Sequence, residues 1–257
     1  MSNQLSRRKF IKSAAVGAVG VAVFPQFLSS CKQNRKEKVD DGLIRLGFIG
    51  LGQQAMYLLN GYIGMSNVRV VAGCDVYGIK RERFLKRVND HYAADGIEVS
   101  VETYEKYSDL IARDDIDAVV IATPDHSHAF IAIEACKAKK DIYLEKPLTF
   151  TIKEGQALTK AVRDNGVILA VGSQQRSDAN FQYAVKMVQE GKLGKIERVN
   201  AHVGAPPKPY DLPEEPIPAD LNWPLWLGPS EFVHYNSELN PPISLSPEQN
   251  EQFWGGW

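Results

Sequence analysis

"IRLGFIGLGQQA", residues 44 to 55, runs an apolar, β-branched stretch straight into Gly50-Leu51-Gly52-Gln53-Gln54-Ala55 and then into helical spacing. A G-x-G-x-x-A turn between a strand and a helix leaves no side chain between a ligand and the backbone N–H groups. The helix N-terminus then faces the same place, which suits a pyrophosphate. Gly50, Gly52 and Ala55 are therefore expected to bind a dinucleotide, the alternative for these residues alone being an ordinary tight turn.

Working outward, Asp75 follows the next apolar run, "VRVVAGC", and stands 25 residues beyond Gly50. An acid near that spacing accepts the adenosine ribose hydroxyls, and its charge repels a 2′-phosphate. The reading therefore leans to NAD, with Lys80 and Arg81 close enough to leave NADP open. Further continuous apolar runs lie at residues 117–124, 141–145 and 167–173. Runs of this kind suit strands covered on both faces. Helical spacing falls between them at about residues 53–65, 78–92, 105–113, 127–138 and 152–165. The last opens on Thr151 with Glu154 three residues on, a capping box. Strand and helix alternate, so the expected fold is α/β, a doubly wound parallel (Rossmann) sheet over residues 42–173. The start of a second α+β domain is expected over 174–257.

Composition narrows the function classes. The 257 residues are 44% hydrophobic and 24% charged with a net charge of −1, an ordinary globular balance with no basic field for a nucleic acid. Cys31, Cys74 and Cys136 show no metal-ligand or disulfide spacing, so no metal is expected. Residues 1–31 resemble an export signal. Ser6-Arg7-Arg8-Lys9-Phe10 is like a twin-arginine motif, and "SAAVGAVGVAVF" is too short to span about 30 Å of hydrocarbon. Leu28-Ser29-Ser30-Cys31 is like a lipobox, making Cys31 the candidate lipidation site and residues 32–41 a tether. The expectation is export through the twin-arginine machinery to the periplasm, soluble or held on a membrane by a lipid anchor alone.

In a doubly wound sheet ligands lie beyond the carboxyl ends of the strands, which singles out three stretches. "ATPDHSHA" puts Thr123, Pro124 and His128 there, "EKP" puts Glu145 and Lys146 there, and "GSQQRS" puts Gln174 and Arg176 there. For each, the plain alternative is a charged strand end, a helix cap or a solvated loop.

Taken together, the glycine turn, "ATPDHSHA", "EKP" and "GSQQR" resemble the Gfo/Idh/MocA family of nicotinamide-dependent sugar and polyol oxidoreductases, across about residues 42–228. The resemblance implies that Lys146 sits beside the nicotinamide and the substrate hydroxyl as a catalytic group. It implies that Pro147 commonly follows a cis peptide, that Glu145 orients nearby groups, and that His128 lies near the cofactor as a second catalytic candidate. Thr123 and Pro124 would flank the cofactor, and Gln174 and Arg176 would bind a sugar or polyol. Beyond Gly194, "KIERVNAHVG" is similar to the first strand of the family's second domain. "LNWPLWLGP" is similar to a loop of exported members, where Trp223 or Trp226 could stack on a sugar or simply pack.

The chain also departs from the family. Gln53-Gln54-Ala55 lacks the arginine and glycine common in exported relatives, and a D-x-G-x-H-x-x-D-like segment is absent. The expectation is a truncated or fragmentary second domain, with a homo-oligomer only in a full-length form. Three readings follow: an NAD(P)-dependent dehydrogenase, an NAD-dependent glycoside hydrolase that oxidises and re-reduces its substrate, and a non-catalytic dinucleotide-binding remnant.

Overall fold

The computed structural model describes residues 41–202 and 211–240. The export and lipidation readings, Cys31 included, lie outside these residues. Six strands form one sheet: β1 (Ile44–Ile49), β2 (Val68–Cys74), β3 (Glu102–Tyr104), β4 (Ala118–Ile121), β5 (Asp141–Glu145) and β6 (Leu169–Gly172). All neighbours pair in parallel, in the order β3-β2-β1-β4-β5-β6. This is the doubly wound Rossmann order, whose connections reverse direction at β1 and open a crevice there.

The period of two along each strand sorts its side chains onto two faces. Leu46 and Phe48 of β1 and Val120 of β4 join one buried cluster. There they meet Ala55, Met56 and Leu59 of α1 (Gln53–Tyr62) and Phe84, Val88 and Tyr92 of α2 (Gly78–Ala94). Ile49, Val119, Ile121, Ile142 and Leu144 join the other. They pack on Leu110 and Ile111 of α3 (Tyr107–Ile111), Ile131, Ala132, Ala135 and Cys136 of α4 (His128–Lys137) and Leu158 of α5 (Ile152–Asn165). The near-continuous apolar runs thus reflect a sheet covered on both sides. α5 begins where the capping box places it, with Thr151 Oγ1 accepting from the Glu154 N–H and Glu154 Oε2 accepting from the Thr151 N–H. It ends at Gly166, whose φ of 64° is the left-handed conformation that suits a C-terminal glycine.

One strand is added and three expectations are corrected. β3 has no counterpart among the apolar runs, because it is a three-residue edge strand with its side chains partly or fully exposed. β6 is not covered on both faces: Ala170 and Val171 are exposed at the other edge of the sheet. Residues 195–202 of the expected second-domain strand are irregular and exposed, since no neighbouring strand among the described residues offers them a ladder. The helix expected over residues 105–113 is the single short turn of α3. α6 (Ala179–Gln189), which leads toward residues 195–202, has no buried residue, so Phe181, Tyr183, Val185 and Val188 stand exposed.

Residues 221–240 form a satellite cluster beside the sheet. Leu221, then Trp223, Trp226 and Leu227 of α7 (Trp223–Leu227), with Tyr235 and Leu239, pack against Tyr77. The two indoles stack with centroids 4.5 Å apart, so Trp223, 1% exposed, has a packing role.

Candidate active site

Gly50 follows β1 with φ +80°, a conformation that disfavours a side chain, and a Cβ there would stand 2.8 Å from the Ala122 carbonyl carbon and oxygen. β1 and the β4 loop approach this closely only because the residue is glycine. Gly52 caps α1 without any side-chain hydrogen bond, so the first turn of that helix presents its N–H groups unshielded. Ala55 has another role: it is fully buried in the α1–sheet contact and does not line the cleft. A small residue at this position serves close packing of helix on strand.

Asp75 follows β2 and its carboxylate braces the turn. Oδ2 accepts from the Leu51 N–H at 2.7 Å and Oδ1 from the Tyr77 N–H at 2.9 Å. Each oxygen keeps a second lone pair, and Asp75 lines the cleft. Next to it the Arg83 guanidinium donates to the Leu51 carbonyl at 2.7 Å, fixing the other side of the same turn.

β5 delivers Glu145, 3% exposed, and then Lys146, joined to Pro147 by a cis peptide bond. Glu145 Oε1 accepts from Gln54 Nε2 at 3.0 Å, and Oε2 accepts from the Lys146 N–H at 3.1 Å. A Cβ on Gly172 would lie 2.8 Å from Glu145 Oε1, so β6 closes over the carboxylate. Burial, and after it the Glu145 charge, pushes the Tyr143 phenol up to about 12 and raises that of Tyr62 as well. Lys146 itself is exposed on the cleft wall.

His128 does not reach the cleft. It is 1% exposed, with Nδ1 2.7 Å from the Pro147 carbonyl oxygen and Nε2 2.9 Å from that of Thr123. The catalytic expectation for His128 therefore gives way to a positioning one: the ring ties together the two loops that carry Thr123 and Lys146. Gln174 and Arg176 occupy an exposed 3-10 turn after β6 and are not among the residues that line the cleft.

Gly50, Gly52, Asp75, Thr123, Pro124, Glu145 and Lys146 converge on one cleft of about 310 Å³. Sequence reasoning missed other walls of this cleft: Gln53, Gln54, Glu105 and Asn240. Gln54 was visible only as a departure from a motif, whereas Asn240 arrives from a distant segment that no local pattern announces. Trp226 also lines the cleft, held by its carbonyl 2.9 Å from His126 Nε2.

The cleft fits a dinucleotide. Gln53 Oε1 and Thr123 Oγ1 are buried with no hydrogen-bond partner, and both belong to lining residues. Buried polar atoms in native proteins are rarely left so, and a polar ligand would satisfy them. The nearby Cys74 thiol is pushed far up by burial, and secondarily by Asp75, so it stays protonated and unreactive.

Comparisons with known proteins agree with this geometry. Residues 44–173 match the model GFO_IDH_MocA, described as "Oxidoreductase family, NAD-binding Rossmann fold". The chain is 29% identical over 168 residues to myo-inositol 2-dehydrogenase of Thermotoga maritima, covering 64% of this chain and 47% of that protein. It is 30% identical over 171 residues to inositol 2-dehydrogenase of Rhizobium meliloti, covering 65% and 48%. Among solved structures, myo-inositol 2-dehydrogenase of Lactobacillus plantarum superposes with a TM-score of 0.53 at 28% identity, over 60% of this chain and 43% of that one. The chain spans about half the length of the curated relatives it matches.

Proposed function

The chain belongs to the Gfo/Idh/MocA oxidoreductase family, and from that premise we propose that it is an NAD-dependent dehydrogenase acting on a hydroxyl of a sugar or polyol. The observation that carries the proposal is the convergence of the glycine turn, Asp75 and the exposed Lys146 on one cleft. The inositol dehydrogenases among its relatives support a polyol as the substrate class.

In this reading Gly50, Gly52 and the first turn of α1 take the pyrophosphate, and Asp75 takes the adenosine ribose. NAD, when bound, supplies the acceptor for the hydride that leaves the substrate's carbinol carbon. In this step Lys146 enters as its neutral amine: it accepts a hydrogen bond from the reacting hydroxyl and takes that proton, becoming the ammonium as the C–O bond becomes a carbonyl. In the reverse direction it returns that proton. Glu145, braced by Gln54 and by the Lys146 N–H, fixes the backbone from which the lysine projects. His128 holds the same corner from the Pro147 side.

We also propose export through the twin-arginine pathway with lipidation at Cys31, supported by Arg7-Arg8 and by Leu28-Ser29-Ser30-Cys31. Labelling of cells with a fatty-acid analogue, comparing the parent with Cys31→Ala, tests it.

The experiment for the enzymatic reading is NAD titration of the full chain followed by NADH formation with myo-inositol and with free sugars. NAD binding together with turnover of one of these compounds supports the proposal. Tight NAD binding with no turnover of any of them refutes the dehydrogenase reading and leaves the cofactor site standing.

A further inference from the structure

Asn240 is 2% exposed, yet it lines the cofactor cleft next to Asp75, Val76, Lys80 and Glu105. Its side-chain oxygen accepts from Lys80 Nζ at 2.7 Å. An ammonium can only donate, so this bond fixes which end of the amide faces the lysine. The Nδ2 group is thereby turned away with two N–H donors, and it is buried without a partner. Burial lowers the Lys80 pKa while Asp75 pulls it the other way, and the lysine's ammonium also lies 5.8 Å from the Tyr77 ring centroid.

The segment that carries Asn240 is seated with care on the β2 side of the cleft. The Gly78 N–H donates to the Asp220 carbonyl at 2.8 Å and the Ile79 N–H to Asp220 Oδ2 at 2.8 Å. The Asn222 N–H donates to the Val76 carbonyl at 3.0 Å, and Asn222 Nδ2 donates to Glu105 Oε1 at 2.6 Å. At its far end the Tyr235 hydroxyl donates to the Asn240 carbonyl at 3.2 Å. Both the backbone and the side-chain oxygen of Asn240 are therefore fixed, and only the amide nitrogen is spare.

The geometry points to Asn240 as a cofactor-binding residue, its amide N–H group donating to a hydroxyl oxygen of the adenosine ribose whose hydroxyl protons Asp75 accepts. This rests on the reading that the cleft holds NAD. A vicinal diol presents both donors and acceptors, and an acid paired with an amide N–H₂ answers both. Asp75 alone answers one. Lys80 acts here by orienting Asn240.

The test is Asn240→Asp in the full chain, with ADP-ribose affinity measured by calorimetry and the melting temperature read alongside. The substitution keeps the size of the side chain and gives Lys80 a charged partner, so the fold is expected to be retained, but it removes both N–H donors. ADP-ribose should bind about tenfold more weakly, the effect of one lost hydrogen bond to a ligand, with the melting temperature unchanged or higher. The double variant Lys80→Met, Asn240→Leu replaces the pair with apolar groups and should show the same weakening. A change under fivefold in a folded variant overturns the inference while leaving the cofactor reading intact. A parent chain that binds neither NAD nor ADP-ribose overturns both. If neither variant folds while the parent does, Asn240 is a structural anchor and the inference fails.

Discussion

His128 and Pro147 meet through a 2.7 Å contact between the buried imidazole Nδ1 and the proline carbonyl, and the opposite ring nitrogen meets Thr123. One side chain thus spans the ends of β4 and β5, holding the loop of Lys146 at a fixed distance from the loop of Thr123. Whichever tautomer the ring adopts, at least one of these part-buried carbonyls receives its donor from His128. His128→Leu should destabilise the protein by about 1–2 kcal/mol, since it removes the donor to a part-buried carbonyl and leaves a poorer fit around a buried side chain. It should also lower kcat for polyol oxidation more than it raises KM for NAD. His128→Gln, which keeps one donor, should recover part of the stability. Denaturant melts and steady-state kinetics of the two variants check this.

Gly50→Ala should be among the most damaging single substitutions in the glycine turn. The position has φ +80°, and the added methyl would meet backbone atoms of Ala122, which cannot swing away as a side chain could. About 2–4 kcal/mol of destabilisation is expected, with NAD affinity reduced at least tenfold. Gly52→Ala is a control, because nothing stands within 4 Å of a Cβ at Gly52. It should leave the melting temperature within a few degrees of the parent.

Tyr143 predicts an alkaline signature. Its phenol is pushed up to about 12, first by burial and then by Glu145, above the ordinary value of 10.0. Between these two values the unfolded chain loses the proton that the folded chain keeps. The contribution to stability is therefore fully present below pH 10 and is lost as pH rises toward 12. Tyr143→Phe should flatten that decline, and the parent's phenolate absorbance should show a component titrating near 12 that this variant reduces. Tyr235 is raised to about 12 as well, so the variant should keep part of that component.

Thr151→Ala removes the acceptor for the Glu154 N–H at the start of α5. A loss of about 1 kcal/mol is expected in urea unfolding, with no change in NAD affinity, because α5 packs on the sheet face away from the glycine turn.

Local chemistry made much of this molecule legible. β5 covers the residues 141–145 read as an apolar run, and α5 covers 152–165, opening at the Thr151–Glu154 capping box that the sequence shows. The glycine turn was legible for the same reason: a left-handed residue between a buried strand and a helix leaves few alternatives to glycine. β3 was not, because a three-residue edge strand takes its identity from pairing with Ala72, Gly73 and Cys74 and not from its own side chains. The expected strand after Gly194 failed the same way in reverse, with strand-forming residues but no neighbouring ladder among the described residues.

In the site, the residues just after β1, β2, β4 and β5 could be placed on the cleft from the sequence, whereas Ala55, His128, Gln174 and Arg176 do not line it. Small size and an imidazole are compatible with either a ligand or a packing role, and only their neighbours decide. Asn240 lies 160 residues from the lysine that orients it, a pairing that exists only in the fold.

The measurement that tests the central claim most directly is calorimetric titration of the full chain with NAD. The account predicts saturable binding of about one NAD per chain in the micromolar range, weakened at least tenfold by Asp75→Arg at an unchanged far-UV circular dichroism spectrum. A folded chain that takes up no NAD, or one whose affinity is indifferent to Asp75→Arg, would contradict it.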